Sequence, residues 1–233
     1  NILIATDPKE LIGNDISIKN FTHCELHPTM ILGHLGFYIP FANNSQSVRN
    51  VYGAGQGKQA VGVYTSNFRY RMDSGVHTLN YPQKPLVNNK MSEYIFNSKL
   101  PCGNNIVVAI GSYSGYNQED SVIINKSSLD KGLFNTSYYK VYEAFESVNK
   151  QKGTNEFFYS PKNDERNVVP HKDYNYAKLD EFGVVKENQY VYQNDVLIGQ
   201  DRHSYEEGNS DMSTAVKKDG GGLVDKVYLF NTN

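Results

Sequence analysis

Two short apolar runs rich in β-branched residues flank a turn that carries two adjacent carboxylates. The runs are residues 106–110 and 122–124, and the carboxylates belong to Glu119 and Asp120. Both runs predict strands buried on two faces, because β-branched side chains favour an extended backbone and an unbroken apolar run leaves no polar face. Residues 115–117, Gly-Tyr-Asn, are a turn signal between them. The sequence therefore predicts a β-rich core built around this loop.

The acidic pair has two interpretations. An unpaired carboxylate is costly to bury, so Glu119 and Asp120 are either solvated or face a cation. Mg²⁺ takes oxygen ligands and usually only one or two protein carboxylates, with water and substrate phosphate completing its shell. In an extended backbone neighbouring side chains point to opposite faces, so one of the pair would face such an ion. Spacing alone favours a solvated turn pair.

Composition limits the class of protein. The 233 residues, 39% of them hydrophobic, can bury the core of one domain or two. The sequence starts without Met and shows no leader and no long apolar run, so we expect a fragment of a longer polypeptide with no signal peptide or membrane span. Cys24 and Cys102 stand in unrelated contexts, which fits a reducing compartment. We expect both to be buried as small apolar groups.

An incomplete set of zinc ligands lies near the start. His23, Cys24 and His27 have suitable atoms, but a structural zinc needs four ligands and no second pair follows at a suitable spacing. We therefore predict no zinc site in this segment, and hydrogen-bonding histidines near a helix or turn that begins at Pro28.

Charge is spread unevenly, although the formal net charge is only −2. Residues 26–72 contain no Asp or Glu, whereas the sequence from Glu143 onward is comparatively acidic. This asymmetry indicates where a polyanion could approach and says nothing about fold. A basic face that is merely solvated explains it equally well.

Arg49 stands just before residues 50–64, which we predict to be helical. Gly53, Gly55 and Gly57 lower the intrinsic stability of this helix. Their lack of a side chain would allow another backbone to pass close to it. A guanidinium presents a rigid fork that matches phosphate oxygens, so Arg49 is a candidate phosphate ligand, with a surface ion pair as the alternative. Lys58 and Gln59 project where a phosphate or sugar hydroxyl could lie.

The other segments predict short elements. Residues 67–73 alternate aromatic and basic side chains, as in a strand that meets nucleic acid or in an ordinary edge strand. The prolines of residues 81–85 require an extended chain, and residues 91–97 predict a short helix. His171 and His203 lie in polar surroundings, which predicts exposure. Strands are also predicted at residues 137–143, 184–185, 190–192, 196–199 and 223–229, with a loop at residues 217–222.

Residues 115–134 resemble the signature of the second-largest subunit of multisubunit DNA-dependent RNA polymerases, called β in bacteria. Five further segments match in order and at the family's spacing: residues 23–28, 40–41, 46–50, 57–64 and 81–86. Ordered matches of this kind are far more specific than one short motif. The resemblance is close over roughly residues 21–143 and loose beyond them, as in a virus-like or otherwise divergent lineage.

The resemblance implies a β-rich α+β fragment of that subunit. Residues 1–20 would end a preceding domain, and residues 21–136 would form the hybrid-binding region, with short helices and strands of a double-psi β-barrel. Residues 137–233 would begin the mainly-β wall, or flap, domain. The implied location is intracellular, either the nucleus or, for a viral enzyme, the viral factory or virion.

The implied reaction is nucleotidyl transfer from an NTP to the RNA 3′ hydroxyl on a DNA template, with two metal ions. By resemblance, Asp120 with Glu119 helps hold the second Mg²⁺, which arrives with the substrate, and Arg49 contacts the triphosphate. Gln59 lies by the RNA 3′ end, and Lys58 is a further nucleic-acid contact. The main metal ligands belong to the largest subunit, so the isolated chain is expected to be inactive. The implied partners are the other polymerase subunits, DNA, RNA and NTP, and no membrane.

Two other functions remain open. A non-catalytic nucleic-acid-binding or assembly module needs only the acid-free basic stretch. A self-contained metal-dependent phosphohydrolase or nuclease needs a second acidic cluster near a histidine, which the sequence does not show. Convergence of Arg49, Gln59 and Asp120 on one concave surface would favour the polymerase.

Overall fold

The computed structural model describes residues 4–5, 23–24, 26–94, 99–149, 153–161, 168–204, 208–218 and 220–230. The chain divides into two compact units, Asn1–Lys140 and Val141–Asn233. In the described residues the first unit mixes helices and strands, and the second is built on small antiparallel sheets. The predicted α+β class is confirmed.

The first unit is a set of short elements joined by long loops. In chain order they are β1 (Ile4–Ala5), β2 (His23–Cys24), α1 (Gly33–Gly36), α2 (Ser47–Gly57), β3 (Gly75–Leu79), α3 (Lys90–Tyr94), α4 (Lys126–Asp130) and β4 (Thr136–Lys140). Strands β1 and β2 pair in parallel. Strands β3 and β4 pair antiparallel, with Gly75 opposite Lys140 and Leu79 opposite Thr136. Short 3₁₀ turns occupy Pro28–Leu32, Ala42–Asn44 and Phe68–Tyr70.

Helix α2 begins before the predicted residue 50 and ends well before residue 64. At its start the Asn50 side chain donates to the carbonyl of Ala42 at 2.8 Å. Beyond its end the chain is non-helical, and the Gly62 carbonyl accepts from the Leu79 N–H at 3.1 Å while the Val63 N–H donates to the Pro101 carbonyl at 3.3 Å. These long-range bonds replace the helical ones and end the helix early.

The strands predicted on either side of the acidic pair are absent. Residues 106–110 and 122–124 have no regular secondary structure and form no hydrogen bond with another described residue. Val107 and Ile110 are 100% exposed and Val122 is 78% exposed. A strand needs a neighbour for its backbone groups, and the described residues provide none for these runs. The predicted turn between them is confirmed, since residues 114–117 form one.

Residues 81–85 are non-helical, as their prolines predict. They lie beside residues 103–105, because the Gln83 N–H donates to the Gly103 carbonyl at 2.9 Å. The Asn104 amide donates to the Tyr81 carbonyl at 2.6 Å, and the Asn105 N–H donates to Gln83 Oε1 at 2.9 Å. These bonds fix the chain immediately before the first exposed apolar run.

Three local predictions in the first unit have different outcomes. His27 caps the 3₁₀ turn that starts at Pro28, as predicted, by accepting from the Thr29 N–H at 3.2 Å. Cys102 was expected to be buried and is exposed, and the side chain of Cys24 lies outside the described part. The predicted helix at residues 91–97 spans Lys90–Tyr94, and residues 95–98 lie outside the described part.

The second unit consists of eight short strands in its described part. They are β5 (Ser147–Asn149), β6 (Thr154–Phe158), β7 (Tyr190–Val191), β8 (Val196–Ile198), β9 (Gln200–Ser204), β10 (Gly208–Asp211), β11 (Thr214–Ala215) and β12 (Gly222–Leu223). Four form an antiparallel sheet in the order β10-β9-β6-β5, while β8 pairs with β11 and β7 with β12. The strand predicted at 196–199 is confirmed as β8, whereas the strand predicted at 223–229 is wrong except at Leu223, the last residue of β12.

The two histidines of the second unit differ in environment. His171 is exposed, as predicted, and its ring stacks on Tyr174 with 4.2 Å between centroids. His203 is only partly exposed, so its prediction was wrong. Its Nε2 lies 2.9 Å from Oδ2 of Asp201, whose side chain is 0% exposed. A buried carboxylate requires such a partner, and this draws the histidine inward.

A buried polar cluster sits beside the apolar core of the second unit, which is formed by Val185, Val191, Leu197 and Val216. The carboxylate of Asp195 accepts from Lys178 Nζ at 2.6 Å, from the Asn175 amide at 2.6 Å and from the Tyr192 N–H at 2.7 Å. Burial alone would raise the pKa of Asp195, but these hydrogen bonds outweigh it and hold that pKa below its usual value.

Replacing Lys178 tests this cluster. We expect Lys178→Met to lower the free energy of unfolding by about 3 kcal/mol at neutral pH, because a buried carboxylate loses its charged partner. The folded pKa of Asp195 is depressed, so the contribution is present above the unfolded pKa of about 4 and disappears as the pH falls below it. Urea unfolding followed by circular dichroism measures both effects. Lys186→Met is the control, because Lys186 is exposed and has no described partner; equal losses in the two variants would contradict the assignment.

The close packing at Gly62 gives a second test. A Cβ at this position would lie 2.4 Å from Cα of Cys102, whereas a Cβ at Gly55, inside α2, meets nothing within 4 Å. We expect Gly62→Ala to lower the free energy of unfolding by about 2 kcal/mol. Gly55→Ala should raise it by up to about 1 kcal/mol, because alanine favours the helix. Similar effects of both changes in urea unfolding would show that the Gly62 contact does not shape the unit.

Candidate functional site

The acidic pair occupies a tight turn rather than a strand. Glu119 and Asp120 are its two central residues, and the Ser121 N–H closes it by donating to the Gln118 carbonyl at 3.0 Å. Glu119 has a φ of +56°, in the left-handed region that side chains rarely adopt. The expectation that an extended backbone points the two carboxylates to opposite faces is therefore wrong.

Both carboxylates are exposed. Neither forms a hydrogen bond or ion pair with any other residue of the described part of the chain. Exposed oxygen donors without a protein partner match the ligands that Mg²⁺ prefers. The described residues contain no group of three or more His, Cys, Asp or Glu side chains placed to hold a metal. The pair can therefore provide one or two ligands and needs others from outside this set of residues.

The loop before the pair is organised by one side chain. The Asn117 amide accepts from the Tyr113 N–H at 3.0 Å and donates to the Gly111 carbonyl at 2.6 Å. Sequence reasoning did not select Asn117 as a site residue. Its signal was weak, because asparagine is common in turns for purely local reasons.

Arg49 is the third residue of α2, and its side chain is exposed. Its guanidinium carbon lies 5.6 Å from the ring centroid of Tyr52, one helical turn further on. Residues three apart share a helix face, so this contact follows from the helix itself and restricts the arginine. No carboxylate in the described residues pairs with Arg49, so the structure gives no support to a surface ion pair. A planar cation remains available to a phosphate.

Lys58 and Gln59 lie at the opposite end of the same helix. Lys58 is its C-terminal cap, and the Gln59 N–H donates to the Gln56 carbonyl at 3.0 Å. Both side chains are exposed. Lys58 is nine positions after Arg49 in the sequence, which corresponds to about 14 Å along the helix axis.

Three of the five predicted site residues thus lie in α2 or directly after its C-terminal end, and the acidic turn carries the other two. No hydrogen bond or ion pair among the described residues joins the two groups. Convergence of Arg49, Gln59 and Asp120 on one surface stays a prediction.

The aromatic and basic stretch at residues 67–73 is not the predicted strand but contains the 3₁₀ turn Phe68–Tyr70. Arg71 Nε lies 2.9 Å from the carboxylate of Asp73, which also accepts from the Tyr64 hydroxyl at 2.7 Å. These two donors hold the pKa of Asp73 below its usual value. Arg71 is therefore engaged within the chain, while Arg69 is exposed.

An apolar cavity of about 790 Å³ lies beside α2. Leu35, Tyr38, Gly53, Val63, His77 and Leu100 contribute to its lining. None of the five predicted site residues lines it, so the cavity and the candidate site are separate features. Within the described residues no helix is long and apolar enough to cross a bilayer.

Comparison with known proteins agrees with the resemblance. The family model "RNA polymerase Rpb2, domain 6" matches residues 35–233. DNA-directed RNA polymerase II subunit RPB2 of Encephalitozoon cuniculi is 42% identical over 229 residues, which are 94% of this chain and 20% of that protein. DNA-directed RNA polymerase II subunit 2 of Arabidopsis thaliana is 40% identical over 222 residues, which are 91% of this chain and 18% of that protein.

An archaeal relative is similar over the whole chain. DNA-directed RNA polymerase subunit Rpo2 of Sulfolobus acidocaldarius is 34% identical over 243 residues, covering 100% of this chain and 21% of that subunit. The chain therefore spans about one fifth of the length of these relatives. The identities, the family model and the ordered motifs agree, and this chain belongs to the Rpb2 domain 6 family, as a portion of the second-largest subunit of DNA-directed RNA polymerase.

Proposed function

We propose that this chain takes part in template-directed RNA synthesis as one segment of a polymerase's second-largest subunit. The reaction is transfer of a nucleotidyl group from an NTP to the RNA 3′ hydroxyl on a DNA template. The observation that carries the proposal is an exposed acidic pair without a described protein partner, on the family's signature loop, in a chain whose relatives are named as RNA polymerase subunits.

Glu119 and Asp120 are the residues that would hold a Mg²⁺ ion. Their exposure and lack of partners fit an ion that uses few protein carboxylates and keeps water and phosphate in its shell. When bound, the ion supplies positive charge beside the reacting phosphate. The resemblance to the second-largest polymerase subunit implies that the principal metal ligands belong to the largest subunit. The isolated chain is then inactive.

Arg49 would bind the triphosphate. Its guanidinium is exposed and unpaired among the described residues, and Tyr52 restricts its motion, so less conformational freedom is lost when phosphate binds. A fixed positive charge near the reacting phosphate is most effective when it is already in place. Lys58 and Gln59, at the other end of α2, would contact the nucleic acid, with Gln59 near the RNA 3′ end.

The two exposed apolar runs beside the acidic turn are evidence for a barrel that includes strands from outside this chain. Residues 106–110 and 122–124 have the composition of buried strands but no hydrogen-bond partner in the described residues. We propose that the rest of the subunit supplies their neighbours and completes a double-psi β-barrel. Residues 21–136 then form the hybrid-binding region, and residues 137–233 begin the wall. The proposed partners are the other polymerase subunits, DNA, RNA and NTP. The proposed location is the nucleus or, for a viral enzyme, the viral factory or virion.

Removing the Asp120 carboxylate tests the metal role. In the intact polymerase, Asp120→Ala should lower the rate of nucleotide addition by roughly a hundredfold, while assembly and template affinity stay close to normal. Single-turnover extension at a series of Mg²⁺ concentrations measures the rate. Asp130→Ala is the matched control, because Asp130 is an exposed carboxylate of the same unit with no described partner. Near-normal elongation by Asp120→Ala at limiting Mg²⁺ would remove the acidic pair from the mechanism, and a loss confined to template binding would favour a binding module.

Removing the Arg49 guanidinium tests phosphate binding. We expect Arg49→Ala to raise the apparent KM for NTP by one to two orders of magnitude, because a charged hydrogen bond contributes about 1.5–3 kcal/mol. Lys90→Ala, which removes an exposed cation outside α2, should leave this KM unchanged. If Arg49→Ala affected only subunit association, Arg49 would be a structural residue.

A further inference from the structure

The loop that carries the acidic pair has little packing of its own. Among residues 105–127, all of which the structure describes, Asn117 alone is partly buried and the rest are exposed. The apolar runs on both sides of the loop form no hydrogen bond with other described residues. Within this unit the loop therefore depends on hydrogen bonds made inside it.

Both ends of the Asn117 side chain are used. Oδ1 accepts from the Tyr113 N–H at 3.0 Å, and Nδ2 donates to the Gly111 carbonyl at 2.6 Å. A backbone N–H can only donate and a carbonyl can only accept, so a single orientation of the amide satisfies both. Aspartate would lack the donor, and alanine would lack both groups.

Asn117 also connects two unusual backbone turns. Before it, Ser114 and Gly115 have φ values of +51° and +76°, and after it Glu119 has +56°. A non-glycine residue holds such a conformation only when its surroundings fix it. Asn117 lies between these turns and is anchored at Gly111 and Tyr113. The direction in which the acidic turn leaves the loop therefore depends on those two bonds.

We infer that Asn117 is a positioning residue for Glu119 and Asp120. Its amide is engaged by the backbone of Gly111 and Tyr113 and holds the loop so that the two carboxylates are in place before the ion arrives. This inference rests on the function proposed above. Preorganised ligands lose less freedom on binding, so loss of Asn117 weakens the response to Mg²⁺.

The intact polymerase carrying Asn117→Ala provides the test. We expect its rate of single-nucleotide addition at limiting Mg²⁺ to fall about tenfold, and its half-saturating Mg²⁺ concentration to rise by a similar factor, while the KM for NTP at saturating Mg²⁺ stays unchanged. Gln118→Ala is the matched control, because this neighbouring amide side chain is exposed and forms no hydrogen bond with the described residues. An Asn117→Ala enzyme with a normal Mg²⁺ requirement overturns the inference.

A combined variant separates positioning from a general loss of structure. The double variant carries Glu119→Ala and Asp120→Ala, and the triple variant carries Asn117→Ala as well. If Asn117 acts through the acidic pair, the triple variant adds nucleotides at nearly the same rate as the double variant. If the loss of rate from Asn117→Ala instead multiplied the loss from the two carboxylate substitutions, Asn117 would act elsewhere and the inference would be overturned. If Glu119→Ala with Asp120→Ala is itself without effect, the proposed function fails instead.

A milder substitution keeps the inference testable if the Asn117→Ala subunit does not assemble into the polymerase. Asn117→Ser keeps a polar group, but its single, shorter hydroxyl cannot take the places of both the amide oxygen and the amide nitrogen. We expect it to assemble and to require more Mg²⁺ than the wild-type enzyme. An unchanged Mg²⁺ requirement in the serine variant would also overturn the inference.

Discussion

In the first unit, side-chain amides form hydrogen bonds with backbone groups that would pair with a neighbouring strand in a sheet. The structure of this unit depends on these hydrogen bonds. The Asn117 amide closes the loop before the acidic turn, and the Asn104 and Asn105 side chains tie the chain before residue 106 to residues 81–86. Asn50 does the same at the start of α2. Backbone groups away from water need partners, and amides can offer both a donor and an acceptor. The candidate site is therefore held by local bonds on a scaffold with few strands.

In the second unit, carboxylates rather than amides form many of the hydrogen bonds that hold the chain. Asp195 accepts from two side chains and one backbone N–H, and Asp211 accepts from the N–H groups of His171 and Ser213. Burial raises the pKa of Asp211, but hydrogen bonds from the Ser213 and Tyr176 hydroxyls, together with the two backbone N–H groups, outweigh it and hold that pKa below its usual value. A hydrogen bond to a charged acceptor is stronger than one to a neutral acceptor, so a small apolar core suffices.

Sequence reasoning succeeded where an element finds its partners nearby. Residues 196–198 form a strand because Thr214–Ala215 pairs with it within the unit. Residues 106–110 have the same β-branched character and form no strand, because propensity cannot provide a neighbour. Strands β6 and β9 were missed because their sequences are largely polar, and tertiary pairing overrides that composition. Arg49 and Asp120 became site candidates through the family resemblance, because their chemistry alone also fitted a surface ion pair and a solvated turn. The contacts of Tyr52 and Asn117 are visible only in the fold.

The central claim is that a metal ion binds at the acidic turn when NTP is present. Replacing Mg²⁺ by Fe²⁺ in the assembled polymerase and generating hydroxyl radicals at the ion cuts the chain within a short distance of it. The account predicts cleavage centred on Glu119 and Asp120 that requires NTP and disappears with excess Mg²⁺. Cleavage that spares this turn while it cuts other segments would contradict it.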